Sequence, residues 1–385
     1  MITTAFSYLT ILIFIASTLV YLEAKTKNIL FDYLPAIVIL YFIVMTFSTL
    51  GVWEKTDAIN TTYKNFKSNL LPAMIFLMLL QSDIRKILKL GKKILLTFFL
   101  ASLSISLGFI IMFALLHNFF EPESWRAFGA LSGSWMGGTG NMVAIQSALT
   151  LPDSKMGYVL LIDSIDYAIW VMILLALVPF ANKFNHWTKA DGTILKTLGE
   201  ELNIKKEEQP ITFSSLFMLL GLALMVSLIA QNLAPYLPNT NFLTNTTWIV
   251  IIATTFGILL GMTPLSKEAS AASLANIMLY LIVALIASRA NFTELTHAPL
   301  YIMAGFIILA IHLIIMVIFA KLFRIDLFSL GVASLANIGG VASAPILAGA
   351  YNKALIPIGV LMAMMGYIVG TFMGLGVAKV LELIV

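Results

Sequence analysis

Two acidic residues, Asp163 and Asp166, lie three positions apart inside the apolar run 156–180. On a helix this spacing places both carboxylates on one face, about one turn apart. An ionised carboxylate at such depth in a bilayer is costly unless it faces a cavity, a cation or a proton. We therefore predict that the pair forms an ion-coupling site. The alternative is that the helix begins later and both acids are solvated near the membrane interface.

A glycine-rich interruption lies just before this run, within the apolar stretch 127–149. Gly133, Gly137, Gly138 and Gly140 fall within eight residues, which is too many for one continuous helix. A membrane tolerates the freed backbone groups only where protein or a water-filled cavity satisfies them. The interruption is therefore a candidate binding site. The alternative is a loop, or a helix whose small residues allow a neighbouring helix to pack closely.

A second glycine pair interrupts the apolar stretch 328–350, and polar side chains accompany both breaks. Their oxygens, together with unwound backbone carbonyls, are suitable sodium ligands, and half-helix N–H groups suit an anionic substrate. The predicted ion- and substrate-binding set is Ser134, Gly137, Gly138, Thr139, Gly140, Asn141, Ser334, Asn337, Gly339, Gly340 and Ser343. The predicted sodium ligands are Thr139, Asn141, Asp163, Asp166 and Asn337. The alternative for each Ser, Thr or Asn is a local bond to its own backbone.

The composition excludes a soluble globular protein, because 60% of the 385 residues are hydrophobic and only 11% are charged. The apolar runs are mostly about 17 to 25 residues long, which suits membrane-crossing helices and not the short alternating strands of a barrel. We predict an all-α polytopic membrane protein. There is no cysteine and no Gly-x-x-x-x-Gly-Lys motif. We therefore expect neither thiolate metal sites nor use of ATP, and no enzyme.

Twelve apolar segments can be counted along the chain, and they form two groups of six. They lie near 5–22, 34–53, 70–81, 94–116, 127–149, 156–180, 213–234, 246–262, 271–289, 299–320, 328–350 and 354–378. A polar linker, 181–210, separates a first membrane half, 1–180, from a second, 211–385. Each half has the same order of a long helix, a Gly-Gly break and a final helix rich in small residues, which predicts two structural repeats.

The basic residues predict the topology, because short cytoplasmic loops are enriched in Lys and Arg. One cluster lies within 85–93, and Lys321 with Arg324 follows the tenth segment. If the linker 181–210 is cytoplasmic as well, the segment 127–149 must leave on the side it entered, as a re-entrant hairpin. Each half then has five spanning helices and one hairpin, so the second half is inverted, as in secondary transporters. The alternative is that both broken segments cross fully, which gives twelve spans and parallel halves.

Three further features have simpler interpretations. His312 could relay protons, but a single histidine bonded to a neighbour is the simpler reading. Arg289 ends the ninth segment and either contacts an anion or extends its charged end to the interface, which we favour. Gly366, Gly370 and Gly374 recur at four-residue spacing, which predicts a close-packing helix face.

The chain resembles a known family at both breaks. Gly133-Ser-Trp-Met-Gly-Gly-Thr-Gly-Asn141, Ser334-Leu-Ala-Asn-Ile-Gly-Gly340 and the twofold layout resemble the YjcL-like family of bacterial membrane proteins, known as domain of unknown function 819. The likeness covers nearly the whole chain. More distantly, the layout is similar to glutamate–sodium symporters and to the grouping of sodium–proton antiporters and bile-acid symporters.

The resemblance implies inverted repeats, a dimerising scaffold and a mobile core built around broken helices, which is an elevator-type architecture. It also implies that Asp163 and Asp166 occupy the place of the antiporter ion site. A homodimer and a place in a bacterial cytoplasmic (inner) membrane follow from the resemblance alone.

Together these features predict a secondary transporter of a small organic, anionic solute, coupled to sodium or protons and working by alternating access. One alternative is a sodium–proton antiporter with no organic substrate, and a more remote one is a membrane receptor or scaffold. We expect no cofactor beyond the coupling ion. The expected partners are the solute and the lipid bilayer, since the net charge of +4 gives no reason to invoke nucleic acid.

Single-cysteine labelling tests the predicted topology in a chain that has no native cysteine. Lys89→Cys and Lys205→Cys should react only from the cytoplasmic side and Glu121→Cys only from outside, because basic loops are retained inside. A membrane-impermeant maleimide applied to intact cells measures this. If position 205 reacts from outside while position 89 does not, the hairpin interpretation is wrong and full crossings replace it.

Overall fold

The computed structural model of the protein describes residues 1–26, 31, 35–190, 210–240, 243–291 and 298–385. The regular structure in these residues is helical, apart from one isolated bridge between Ile2 and Trp53. The helices are α1 (Ala5–Thr26), α2 (Ala36–Thr49), α3 (Asp57–Leu80), α4 (Ile84–Leu88), α5 (Gly91–Leu116), α6 (Ser124–Gly137), α7 (Thr139–Ala148), α8 (Met156–Leu177), α9 (Ala181–Thr188), α10 (Phe213–Leu233), α11 (Asn245–Gly261), α12 (Ser270–Ala287), α13 (Ala298–Phe323), α14 (Leu327–Ile338), α15 (Gly340–Tyr351) and α16 (Ile356–Glu382).

Seven of the described helices are long and apolar enough to cross a membrane: α1, α5, α8, α10, α12, α13 and α16. The chain is therefore a polytopic helical membrane protein, as its composition predicts. The apolar helices α2 and α11 are shorter, with 14 and 17 residues. The third predicted segment, 70–81, is only the second part of α3, which begins at Asp57. Hydropathy misses the first part because it carries Lys64 and Lys67.

The helices pack as two bundles that do not coincide with the two sequence halves. The flanking bundle contains α1, α2, α3, α10, α11 and α12, with α3 packed against α10, α11 and α12. The hairpin bundle contains α5, α6, α7, α8 and α13 to α16, with its tightest packing between α6 and α16. Each sequence half therefore contributes its first three apolar segments to one bundle and its last three to the other.

The first broken segment folds back on itself. A Cβ atom built on Gly129 would lie 3.0 Å from Leu149 Cδ1, and one on Gly133 would lie 3.3 Å from the Asn141 carbonyl oxygen. Residues 129 and 149 would be about 30 Å apart on one straight helix, at 1.5 Å per residue. Helix α7 therefore runs back along α6, and the turn is made at Gly138, whose φ is +86°. The segment is a hairpin and not a full crossing.

The second broken segment has the same form. A Cβ on Gly331 would lie 3.2 Å from Leu347 Cδ2, and the rings of Phe328 and Tyr351 meet at the base with centroids 5.4 Å apart. Helix α15 therefore runs back along α14. The turn is at Gly340, where φ is +59° and a residue with a side chain would be strained.

The two hairpins enter the protein from opposite ends. Glu121 before α6 forms an ion pair with Lys155 after α7, which defines the Glu121 end. The base of the second hairpin is tied to α9, which follows the carboxyl-terminal end of α8, since Leu327 N donates to Asn185 Oδ1 at 2.8 Å. Lys321 Nζ also reaches the Trp187 carbonyl there, which defines the Lys321 end.

Both predicted basic clusters lie at the Lys321 end. Helix α5 is antiparallel to α13, because Gly108 packs on Ile308 and Ser104 bonds His312, so α5 begins where α13 ends. The cluster within 85–93 extends from α4 into the first turn of α5, so it lies at the same end. Part of the predicted linker is helix α9, which packs on α13 and α14. The rest of the linker, 191–209, lies outside the described residues and includes Lys205.

The predicted glycine face of α16 is confirmed and holds the first hairpin. A Cβ on Gly370 would lie 2.6 Å from Gly137 Cα, and one on Gly374 would lie 2.9 Å from Gly133 Cα. A Cβ on Gly366 would lie 3.2 Å from the carbonyl oxygens of both Met136 and Ala336. Only residues without a side chain allow backbones this close.

A pair of glycine substitutions on α16 tests this contact. Gly370→Ala should destabilise the protein by about 1–3 kcal/mol, because the added methyl meets the Gly137 backbone, which has no flexible end to move. Gly376→Ala is the control, because a Cβ there meets nothing within 4 Å. It should be neutral or stabilising by about 0.5–1 kcal/mol. Thermal unfolding in detergent measures both, and equal midpoints would contradict the packing role.

Candidate functional site

A cavity of about 340 Å³ lies where the two hairpin tips meet. The Tyr367 ring separates the tips, since Cβ atoms built on Gly138 and Gly340 would lie 3.5 Å and 3.9 Å from its Cε1 atom. Both bundles contribute to the walls. The lining residues with polar side chains or hairpin-tip backbone are Ser134, Gly138, Thr139, Gly140, Asp163, Ser164, Tyr167, Asn276, Tyr280, Gly339, Gly340 and Tyr367.

One face of α8 forms the acidic wall of the cavity. Leu160, Asp163, Ser164 and Tyr167 follow the i, i+3, i+4, i+7 spacing of a single helix face, and all four line the cavity. Asp163 is partly buried and accepts a hydrogen bond of 2.8 Å from Ser134 Oγ on α6. This bond ties the acid to the first hairpin.

Asp166 does not line the cavity. It lies on the neighbouring face of α8, is fully buried, and packs against α13, where a Cβ on Gly305 would collide with its Oδ2 atom. Within the described part of the chain neither carboxylate oxygen has a hydrogen-bond partner. The two acids are therefore in different surroundings, because the helix turns Asp166 away from the face that holds Asp163.

The two asparagines at the breaks are occupied by protein groups. Asn141 Nδ2 donates to the Gly137 carbonyl at 2.6 Å, and its Oδ1 accepts from Thr371 at 2.6 Å. Asn337 Oδ1 accepts from Ser102 at 2.7 Å, and its Nδ2 donates to the Ala333 carbonyl at 2.9 Å. Both side chains satisfy backbone groups near the breaks, which corresponds to the local-bonding alternative.

His312 belongs to a hydrogen-bonded chain that joins four helices. Ser104 donates to the Ala101 carbonyl, so its oxygen accepts from His312 Nδ1 at 2.7 Å. Trp170 Nε1 donates to Ser334 Oγ at 2.9 Å, which leaves the Ser334 hydroxyl to donate to His312 Nε2 at 2.8 Å. Every donor in the chain is used when the histidine is neutral. His312 and Ser334 therefore brace the bundle.

Of the predicted residues, the structure brings seven to the cavity: Ser134, Gly138, Thr139, Gly140, Asp163, Gly339 and Gly340. Gly137 packs on α16, and Ser343 is buried beside Gly339 and does not line the cavity. The five predicted sodium ligands are not brought together. Thr139 and Asp163 reach the cavity, whereas Asn141, Asp166 and Asn337 do not. Asn141 bonds Thr371 on α16, Asn337 bonds Ser102 on α5, and Asp166 packs against α13.

Sequence reasoning missed the aromatic part of the site. Tyr167 and Tyr367 lie on α8 and α16, the last long helices of the two sequence halves. Tyr167 stands one turn after Asp163, so the helical spacing already places it on the acidic face. Tyr280 and Asn276 come from α12 in the flanking bundle. No local pattern signals them, since only the packing of the two bundles brings α12 to the hairpin tips.

Arg289 lies near the Glu121 end and is engaged with protein groups. It donates to Asn60 Oδ1 at 2.7 Å and its guanidinium stands 4.5 Å from the Tyr63 ring centroid. It is partly buried, so it does not simply extend to the interface as the sequence suggests. It lies outside the central cavity.

The cavity has features suited to a negative group and to a positive group of a ligand. Helices α7 and α15 begin at the two tips, so the positive ends of two helix dipoles face it. Asp163 supplies the opposite charge, and the hydroxyls of Ser134 and Thr139 supply oxygens. No group of three or more His, Asp or Glu residues that could hold a metal is found in the part of the chain that the structure describes.

The comparisons with known proteins agree with the resemblance seen at the two breaks. A family model described as "Protein of unknown function (DUF819)" matches residues 10–384. The chain is similar to "Uncharacterized membrane protein YjcL" of Bacillus subtilis (strain 168), with 24% identity over 343 residues that cover 86% of this chain and 85% of the relative. Because the family model spans nearly the whole sequence, this chain belongs to the DUF819 family of proteins of unknown function.

Proposed function

We propose that the protein is a cation-coupled secondary transporter of a small organic solute that carries an anionic group. The observation that carries this proposal is the meeting of two oppositely entering hairpins at a cavity that holds Asp163. Broken helices that meet near the midplane, with half-helix ends facing the ligand, are how such transporters build their sites. A cavity of about 340 Å³ has room for an organic solute as well as an ion.

The opposite entry of the hairpins supports inverted repeats. Hairpin α6–α7 enters from the Glu121 end and α14–α15 from the Lys321 end, as two halves of opposite orientation require. Both basic clusters lie at the Lys321 end, which we assign to the cytoplasm. The inner membrane of a bacterium and a homodimer remain predictions that rest on the resemblance.

The division into two bundles supports alternating access in which the hairpin bundle moves against the flanking bundle. The flanking-bundle residues in the cavity wall, among them Val38, Met78 and Asn276, lie in the parts of α2, α3 and α12 nearest the Lys321 end. The Glu121 end is held by other contacts. This conformation therefore exposes the site toward the cytoplasmic side.

The contacts that hold the Glu121 end centre on Asp153, in the loop after the first hairpin. Lys67 Nζ on α3 lies 2.7 Å from Asp153 Oδ1, and the Tyr63 hydroxyl on α3 donates to Asp153 Oδ2. Gln146 on α7 donates to Asp153 Oδ1 at 2.8 Å. We call this group the Asp153 latch. It joins the two bundles, so it must separate for the Glu121 end to open.

Coupling is proposed to depend on the charges of Asp163 and Asp166. An ionised, unpaired carboxylate disfavours movement of the bundle through the low-dielectric barrier, so each acid needs a cation or a proton before the bundle moves. Asp163 has hydroxyl neighbours and access to the cavity, which suits a sodium ion or the charged part of a solute. Asp166 has apolar surroundings.

Amide substitutions test the coupling acids. Asp163→Asn and Asp166→Asn should each abolish uptake or remove its sodium or pH dependence, because the amide keeps the shape but loses the charge. Uptake of a mixed metabolite pool into proteoliposomes, with sodium and pH gradients imposed separately, measures this. Asp326→Asn is the matched control, since Asp326 is a buried helix cap at the hairpin base and Asn caps equally well.

The outcomes of the same assay separate the alternatives. Sodium–proton exchange without solute movement would favour the antiporter, and no gradient-dependent movement at all would favour a receptor or scaffold. Normal, equally coupled uptake by both Asp→Asn variants would place the coupling site elsewhere.

Cysteine cross-linking tests the movement between the bundles. In Lys67→Cys/Asp153→Cys, cross-linking by a short bis-methanethiosulfonate reagent, which spans an ion pair better than a direct disulfide, should stop uptake, and reduction should restore it, because the cross-link fixes one bundle to the other at the latch. The control is Glu121→Cys/Lys155→Cys, which replaces an ion pair within the hairpin bundle. The same cross-link should form there without loss of uptake. Transport that continues with the latch pair fully cross-linked would overturn the proposed movement.

A further inference from the structure

In the part of the chain that the structure describes, the central cavity has an acidic side chain in its lining but no basic one. Asp163 is the one charged side chain among the described residues of the lining, and no Lys, Arg or His is found with it. A solute with only an anionic group would therefore face a carboxylate of the same sign and no basic side chain. When Asp163 is ionised, its positive counterpart therefore comes from what binds in the cavity.

Asp163 has neutral hydrogen-bond donors and, within the described lining of the cavity, no basic side chain beside it. It accepts a hydrogen bond from Ser134 Oγ and is partly buried in a wall formed with Leu160 and Gly138. A carboxylate in such a place is stabilised by a cationic group that also donates hydrogen bonds. An ammonium group has both properties.

Three tyrosine rings surround the same space. Tyr167 packs against Gly339, Tyr367 stands between the two hairpin tips, and Tyr280 comes from the flanking bundle. Aromatic rings attract ammonium groups by cation–π interaction, and cages of such rings are the usual way proteins recognise quaternary ammonium ligands. A carboxylate with several aromatic rings is therefore suited to an organic ammonium, since sodium would gain nothing from the rings.

The hairpin tips provide the opposite polarity within the same cavity. The first residues of α7 and α15, Thr139 and Gly340, are lining residues, so two helix starts, with the positive ends of their dipoles, lie at the space. Helix starts favour an anion. On their own they would not define a ligand, but with Asp163 and the tyrosines they give one cavity a negative wall and a positive pair of tips.

We infer that the solute is a small zwitterion of the amino-acid or betaine class. Its ammonium group lies against Asp163 and the tyrosine rings, and its carboxylate lies at the hairpin tips. A cavity of about 340 Å³ limits the solute to a small one. This assignment rests on the proposed function, because it uses the same cavity, and it specifies the charge pattern of the solute.

Matched pairs of solutes test the assignment on the purified full-length protein. The protein L-amino acids and glycine betaine are compared with the carboxylic acids that lack the amino group, such as alanine with propionate and aspartate with succinate. Thermal stabilisation in detergent gives the affinities. At least one zwitterion should bind, and its partner acid should bind about tenfold or more weakly, because Asp163 would lose its counter-charge.

Variants locate the preference at the named groups. Asp163→Asn should remove the difference between each zwitterion and its partner acid. Tyr367→Phe should keep the affinity because it retains the ring, whereas Tyr367→Leu should lower it about tenfold. The tyrosine pair keeps the test valid if the Asp163 variant does not fold. Asp326→Asn should behave as the unmodified protein.

The outcomes separate this inference from the proposed function. The assignment is overturned if the matched carboxylic acids bind with the same affinity as the zwitterions, or if no zwitterion of the panel binds. Even then, gradient-driven uptake of another solute would support the transporter proposal. If no solute moves in proteoliposomes although a zwitterion binds, the transporter proposal fails and the ligand assignment stands.

Discussion

The backbone groups freed by a broken helix impose the main constraint on this protein. In a bilayer each such group needs a partner from protein or from a water-filled cavity. At the first break the Gly138 N–H bonds the Ser134 carbonyl, and the Asn141 amide bonds the Gly137 carbonyl. The first residues of α7, Thr139 and Gly140, line the cavity instead. A break can therefore exist only where the protein supplies these partners on one side and a cavity on the other.

Helix α16 meets that constraint for both hairpins. Its glycines allow α6 to approach until their backbones touch, and Gly366 lies beside the last carbonyls of α6 and of α14, those of Met136 and Ala336. The carbonyl ends of the two incoming arms thus lie against one helix, while the N–H ends of the two returning arms, α7 and α15, face the cavity. The polarity of the cavity follows from this arrangement, since close packing on one side of the tips leaves the other side open.

The polar residues inside the membrane serve two different purposes. The chain from Trp170 through Ser334 and His312 to Ser104 uses all of its donors among protein groups, which fixes helices α5, α8, α13 and α14 relative to one another. Asp163 and Asp166 are different, because the described protein groups leave their charge uncompensated. Full satisfaction by protein marks a structural role, and an uncompensated charge marks a place for a ligand or a proton.

The sequence by itself determined the membrane class, the positions of both breaks, the close-packing face of α16 and the presence of two acids within the apolar helix α8. These features are local: apolar length, glycine spacing and helix period can be read without knowing what a helix touches. The hairpin form was one of two interpretations, because loop charges limit crossings only weakly, and the contacts of Gly129 and Gly331 decided it.

Only the tertiary structure decided which predicted residues share a site. Asp163 and Asp166 look equivalent by spacing, yet Asp163 lines the cavity whereas α13 covers Asp166. Asn141 and Asn337 have the chemistry of ion ligands, yet Thr371 and Ser102, more than 200 residues away, occupy them. Tyr280 joins the site from a different bundle. The physical reason is that a helical period specifies a direction around one helix, whereas the partner in that direction is fixed by how the helices pack.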